Sequence, residues 1–114
     1  MTSVAVCKTR QLGLSPFLLA VAEENVELTY LMLQSGKVNR NCKDTYGRSA
    51  LHYAAANGNV ELARMLIENG TDPNILNNAG ETPLIKACQF IELGTIEYLL
   101  SLPTVNIHKR NVVS

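Results

Sequence analysis

The chain has 114 residues with ten acidic and ten basic side chains, so no net charge draws it to nucleic acid or to an anionic membrane. It has no Trp, four Tyr and two Phe, which excludes a large aromatic-centred core and leaves the packing to Leu, Ile, Val and Ala. Length allows one domain, and no apolar run approaches the ~20 residues that a membrane-spanning helix needs.

Residues 1–12 contain "VAVCKTRQL", which reads as the second half of a hairpin. The next stretch, "KTRQLGLSPFLLAVAEE", imitates a secretory signal, with basic residues, an apolar run and Ala20-Val21-Ala22 in the place of a cleavage site. Ser15 and Pro16 interrupt that run and instead mark a helix start. A Ser or Thr side chain at the N-cap satisfies an orphan main-chain N–H, worth about 1 kcal/mol. Proline at the next position loses no donor that the helix needs. Ser15-Pro16 therefore predicts a first short helix carrying Phe17 and Ala20, and Val26, Leu28, Met32 and Leu33 predict a second.

The same pattern returns twice without gaps. "GRSALHYAAANGNVELARMLIENG" from Gly47 and "GETPLIKACQFIELGTIEYLLSLP" from Gly80 align with "GLSPFLLAVAEENVELTYLMLQSG" from Gly13, 34 and then 33 residues apart. Ser49-Ala50 and Thr82-Pro83 repeat the helix start, Leu51 and Leu84 the large apolar residue, and Ala54 and Ala87 the small one three positions later. The second helices carry Val60, Leu62, Leu66 and Ile67, then Leu93, Thr95, Leu99 and Leu100. Leu62 and Leu66 are expected to seal repeat two against repeat three. Between helix pairs, "GKVNRNCKDTYG" and "GTDPNILNNAG" have the chemistry of tight turns with positive φ, and Gly36 and Gly70 fit helix C-caps. The extra residue falls after Gly36, in a loop, where an insertion is tolerated. Each helix is about two turns long and marginal alone, so the pairs are expected to be held by burying their apolar faces against neighbouring copies.

The repeat resembles the ankyrin repeat, through Ser49-Ala50-Leu51-His52-Tyr53-Ala54, Thr82-Pro83-Leu84-Ile85-Lys86-Ala87, Gly58 and "LIENGTDPN". The resemblance runs from about Val6 to Arg110. It implies an all-α solenoid of helix–loop–helix pairs joined by short β-hairpin or turn connections. The single domain 1–114 divides into a partial leading hairpin (1–12), repeats at 13–46, 47–79 and 80–110, and a tail (111–114). This chain departs from the pattern in several places. Leu18 and Ile85 stand where repeat two has His52, and Pro103 replaces a C-cap glycine. Glu24 and Ile91 replace Gly58, so the first and third inter-helix loops are expected to differ in shape. Gly94 is a glycine that the pattern does not ask for. "VNIHKRNVVS" looks like the start of a further hairpin, as in an array cut from a longer protein; a small protein bounded by hairpin strands is the alternative.

Candidate chemistry is sparse. Cys7, Cys42 and Cys88 are odd in number and widely spaced, with no Cys/His cluster for zinc. They read as reduced thiols in the cytoplasm or nucleus, with a Cys7–Cys42 disulfide the alternative. His52 as a base beside Cys88 as a nucleophile lacks a third group to orient the histidine. Cys88 occupies the small packing position of Ala55, and the resemblance places His52 in a structural hydrogen-bond network. Glu23, Glu24 and Glu81 read as solvated carboxylates, and His108-Lys109-Arg110 as an exposed tail with weak phosphate attraction. Asn74 falls on the hairpin asparagine of the family, which is structural and in some members hydroxylated; here Pro73 precedes it. No catalytic residue, metal ligand or cofactor is expected.

The resemblance also implies function: a non-enzymatic module binding another protein, with neither nucleic acid nor membrane as partner. Its contact positions flank each turn glycine and close each first helix. They are Gln11, Leu12, Leu14, Ala22 and Glu23 in repeat one, and Thr45, Tyr46, Arg48, Ala56 and Asn57 in repeat two. Repeat three supplies Asn78, Ala79, Glu81, Gln89 and Phe90. Tyr46, Arg48 and Phe90 are expected to be exposed and central, since interface hot spots favour aromatic residues and Arg. The alternative is a structural or regulatory segment of a larger enzyme or channel whose activity lies elsewhere.

Overall fold

A computed structural model describes residues 13–103. Among these residues it contains six α-helices: α1 (Pro16–Ala22), α2 (Val26–Ser35), α3 (Ala50–Asn57), α4 (Val60–Glu68), α5 (Pro83–Gln89) and α6 (Leu93–Ser101). The apolar run of the signal-like stretch lies in α1, with Phe17, Leu18, Ala20 and Val21 buried. Each first helix starts as its sequence dictates. The Ser15, Ser49 and Thr82 hydroxyls accept from the N–H groups of Leu18, His52 and Ile85. Asn25 and Asn59 cap α2 and α4 in the same way, at 3.1 Å from the N–H of Leu28 and Leu62. Glu92, their counterpart before α6, makes no side-chain cap bond.

The three inter-helix loops have one shape, contrary to the difference expected from Glu24 and Ile91. Glu24, Gly58 and Ile91 all adopt left-handed backbone, with φ of 59°, 71° and 55°. The physical reason is a shared closing bond. The N–H groups of Asn25, Asn59 and Glu92 donate to the carbonyls of Ala20, Ala54 and Ala87 at 2.9, 3.0 and 2.9 Å. That bond fixes the turn, and the non-glycine residues absorb strain on the order of 1–3 kcal/mol each, with β-branched Ile91 the less suited.

First helices stack in one layer, α1 on α3 and α3 on α5, and each packs against its own second helix; α4 also packs on α6. Buried Ala20, Ala54 and Ala87 keep the layers close. One core cluster joins repeats one and two through Leu14, Phe17, Leu33, Leu51, Leu62 and Leu66, among others. A smaller one joins repeats two and three through Ala55, Ala87 and Leu99, with Ile67, Leu84 and Ile96 packed on it. Leu62 and Leu66 therefore seal repeat two against repeat one, not repeat three; Ala55 and Ile67 make the other seam. The same geometry explains residues that depart from their repeat pattern. Leu28 is 43% exposed where Leu62 is buried, because no described repeat precedes it. Leu93, Leu100 and Cys88 are exposed where their counterparts in repeat two are covered or partly covered, because no described repeat follows. Cys88 is thus not the packed residue that its alignment with Ala55 predicts. Gly94 has its own reason: a Cβ there would meet Val60 Cγ2 at 3.3 Å, so glycine allows α6 to settle on α4.

The connections are turns rather than hairpin strands, with one isolated antiparallel bridge, Lys43–Ser49, among the described residues. Gly36 caps α2 in left-handed backbone. Asn69 is the C-cap of α4, with Gly70 following at φ 99°. α6 ends on extended Leu102, as the residue before Pro103 should.

Candidate binding face

Two turn tips, Asp44–Arg48 and Asn77–Glu81, are built alike. Asp44 Oδ1 accepts from the N–H groups of Tyr46 and Arg48 at 2.9 and 2.8 Å. Asn77 Oδ1 accepts from those of Ala79 and Glu81, both at 2.9 Å. Gly47 and Gly80 turn each tip at φ 76°. The tips are also bonded to each other, since Asn78 donates its N–H to the Tyr46 carbonyl at 3.0 Å and its side-chain amide to the Thr45 carbonyl at 3.1 Å. A Cβ on Gly47 would lie 2.6 Å from the Asn78 nitrogen, so the close approach requires glycine.

Side chains on this frame form two adjoining clefts. The first, about 230 Å³, lies between the first helices of repeats two and three and is lined by Arg48, Ala56, Asn57 and Phe90 with His52, Tyr53 and Lys86. The second, about 400 Å³, lies at the tips and is lined by Tyr46, Arg48, Asn78, Ala79 and Glu81 with Asn77 and Lys86. Eight of the expected contact positions therefore line one or both clefts, and Arg48 lies in both. Tyr46 and Phe90 are 55% and 57% exposed. Ala22, Glu23, Thr45 and Gln89 line neither cleft; Ala22 is half-buried and the other three are exposed. Leu14 is buried in the core, because an apolar side chain in the register of Arg48 and Glu81 folds inward against Phe17 and its neighbours; it is not a surface contact. Gln11 and Leu12 lie outside the described residues, as does His108-Lys109-Arg110.

Tyr53 and Lys86 were missed by reading the sequence for contact positions. They occupy the same register, one residue after His52 and Ile85, where repeat one has Leu19. A polar or aromatic-hydroxyl residue inside an otherwise apolar helix start was the available signal.

Polar bonds hold the walls of the clefts in place. The Asp44 side chain is fully buried; Arg48 Nε lies 2.8 Å from its Oδ2, and the Tyr53 hydroxyl donates to the same oxygen at 2.5 Å. Burial alone would raise the Asp44 pKa, but the bonds from Tyr53 and Arg48 outweigh it and hold it below the usual range. Burial, and then Asp44, push the Tyr53 pKa up. The Arg48 guanidinium stacks between rings, 4.8 Å from the centroid of Tyr46 and 5.2 Å from that of Tyr53.

Glu81 is not the solvated carboxylate it resembled in sequence. Asn77 and Gln89 donate to it at 2.9 and 2.7 Å, and Lys86 pairs with it at 2.9 Å. These bonds, Asn77 first and then Lys86, bring its pKa down to about 2. His52 is buried, and its Nδ1 accepts from the Ser49 main-chain N–H at 3.1 Å. Its proton is therefore on Nε2, which donates to the Glu81 carbonyl at 2.7 Å. Burial lowers its pKa, partly countered by that carbonyl. Both ring nitrogens are thus committed to structure, which leaves neither to act as a base for Cys88. Cys42 and Cys88 are free thiols. The Asn74 N–H donates to Asp72 Oδ1 at 2.9 Å, within the turn. Among the described residues no three His, Cys, Asp or Glu side chains are grouped to hold a metal ion. No helix among them is long and apolar enough to cross a membrane.

Stacked helix pairs with bonded turn tips define a repeat solenoid. Residues 17–111 match the family model for ankyrin repeats in three copies, and the chain belongs to the ankyrin-repeat family. It is 35% identical over 102 residues, 85% of its length, to an ankyrin repeat protein of Rickettsia bellii, of which it spans 61%. It is 38% identical over 82 residues, 70% of its length, to human oxysterol-binding protein-related protein 1, spanning 9% of that protein. It is 30% identical over 95 residues, 82% of its length, to a tyrosine-protein kinase of Hydra vulgaris, spanning 12%. Domains of this family are typically non-catalytic and generally serve protein–protein interaction.

Proposed function

We propose that this chain is a non-enzymatic interaction module that holds a partner protein against its turn tips and the exposed side of its first helices. The observation that carries this reading is the pair of clefts sharing Arg48 and Lys86, with exposed Tyr46 in one and exposed Phe90 in the other. Exposed aromatic residues beside a stacked Arg have the composition of an interface hot spot. The neutral chain gives no general attraction to nucleic acid or membrane, and the free thiols suit the cytoplasm or nucleus. Affinity capture from cell extract with mass spectrometry, run in parallel on the wild type and on Phe90→Ala, tests the reading. A partner captured by the first and lost by the folded second supports it; partners captured equally by both count against it.

A second reading is favoured by the lengths of the relatives, since the chain spans only 9% and 12% of two of them. There the module is a segment of a larger protein, and it presents that protein to its partner. A natural reading frame continuing into further "G-x-T-P-L" repeats or another domain would favour it.

A further inference from the structure

The end of the array at repeat one carries an apolar groove whose counterpart one repeat on is closed. The groove, about 260 Å³, is lined by Pro16, Phe17, Met32, Val38, Asn39 and Cys42, with Ser15 at its edge. In the same register, repeat two has Ala50, Leu51, Leu66, Thr71, Asp72 and Ile75, and all but Asp72 are buried. Repeat one is stacked on that end. Part of its cover is the connection after α2, which runs along the connection after α4. Asn41 Oδ1 accepts from the Asp72 N–H at 3.0 Å, and Lys43 Nζ donates to the Leu76 carbonyl at 2.8 Å. Val38 and Cys42 pack on the core cluster that joins the two repeats.

The chain enters repeat one on the same track. A Cβ on Gly13 would lie 3.0 Å from the Thr45 nitrogen, as one on Gly47 would lie 2.6 Å from that of Asn78. Gly13 thus sits against the first turn tip as Gly47 sits against the second. Counting back from Gly13 in that register, Val4 takes the place of Val38, Cys7 that of Asn41 and Thr9 that of Lys43. We propose that the chain's own residues 4–9, "VAVCKT", lie along residues 38–43 and close this groove, with Val4 on its apolar lining and Cys7 beside Asn39 and Cys42. The four leading residues are small and apolar, as the lining requires. The reach suffices. Cys7 is six residues before Gly13, about 20 Å when extended. Cys42 Sγ lies 3.6 Å from the hydroxyl of Ser15, only two residues past Gly13. The placement is the same whether or not another repeat stands before Met1.

Thiol labelling of the full chain tests this, because Cys42 lines the groove and exposed Cys88 is a built-in reference. Maleimide labelling of each cysteine is followed by peptide mass mapping. Val4→Asp combined with Val6→Asp would place carboxylates against an apolar lining, which is costly. That variant should speed the labelling of Cys42 at least about tenfold, the equilibrium change for withdrawing one buried Val. Cys88 should label at an unchanged rate, with circular dichroism confirming the fold. Diamide, which takes up the two thiol hydrogens and leaves a disulfide, should join Cys7 to Cys42 within one chain, and the double variant should lose that link. Equal Cys42 labelling in the two folded proteins overturns the proposal. Protection of Cys42 only at high protein concentration, with its disulfide formed between copies, also overturns it, in favour of a second copy on this end.

Discussion

His52 Nε2 donates to the carbonyl oxygen of Glu81 at 2.7 Å, and this bond ties the first helix of repeat two to the turn tip of repeat three. The side chain of the same Glu81 holds Lys86 on the cleft wall. A buried histidine thus holds the wall of a cleft that it only partly lines, and its surroundings make stability depend on pH.

The direction follows from linkage. The folded pKa of His52 lies below its ordinary 6.5, so the unfolded chain takes up a proton first as pH falls. Its stabilising contribution is complete above pH 6.5 and is lost as pH falls from there towards the folded value. Glu81 acts lower, between its ordinary 4.5 and about 2, again losing stability as pH falls. Urea unfolding from pH 8 to 5 should show stability declining below 6.5, and His52→Gln should flatten that decline. Parallel profiles for the two proteins would remove His52 from the account.

Ile91 carries the clearest backbone strain, at φ 55° with its side chain 73% exposed. Ile91→Gly relieves the strain and forfeits little packing, so it should stabilise the chain by about 1 kcal/mol. Glu24→Gly should stabilise by less, because Glu24 is not β-branched and its carboxylate accepts from the Asn59 side chain at 3.1 Å, a bond the glycine forfeits. Chemical denaturation measures both, and a lower midpoint for Ile91→Gly would contradict the strain.

Thr95 Oγ1 is buried with no hydrogen-bond partner among the described residues, in the register where repeat two has Leu62. Thr95→Val replaces the hydroxyl with a methyl of similar shape and should stabilise by about 1 kcal/mol. A destabilised variant would mean that the hydroxyl is bonded in solution.

Much of this was legible from the residues. Ser15-Pro16, Ser49 and Thr82-Pro83 located the first helices because capping is local chemistry. The three-fold register located the loops, the small Ala positions and the place of Tyr46 and Phe90. Shape was misjudged where a main-chain bond overrides side-chain identity, as at Glu24 and Ile91. Exposure was misjudged where it depends on which neighbouring repeat covers a residue, as at Cys88 and Leu100. The site was only half visible. Glu81 as a bonded hub, and Tyr53 and Lys86 as cleft walls, arise from side chains meeting across repeats, which register alone does not reveal.

Stacking makes a further prediction. Deleting 78–114 uncovers Ala55 and the half-buried Ile67 and removes the acceptor of the His52 bond. The remaining two pairs fall below the roughly three repeats that a stable array needs. Its thermal transition by circular dichroism should be broad and of small amplitude, and a melt as sharp as that of the full chain would contradict stacking as the main support.

The binding face is tested most directly by Phe90→Ala and Tyr46→Ala, measured for both affinity and melting temperature on whichever partner the capture experiment yields. Arg48→Ala is a poorer probe, since losing its bond to buried Asp44 should cost about 1–3 kcal/mol of stability by itself. For the two exposed aromatics the expected result is binding weakened by roughly 1–3 kcal/mol each, in the range of hot-spot truncations, with the melting temperature almost unchanged. Full affinity in both folded variants, or a Phe90→Ala protein that unfolds before it stops binding, would contradict the account.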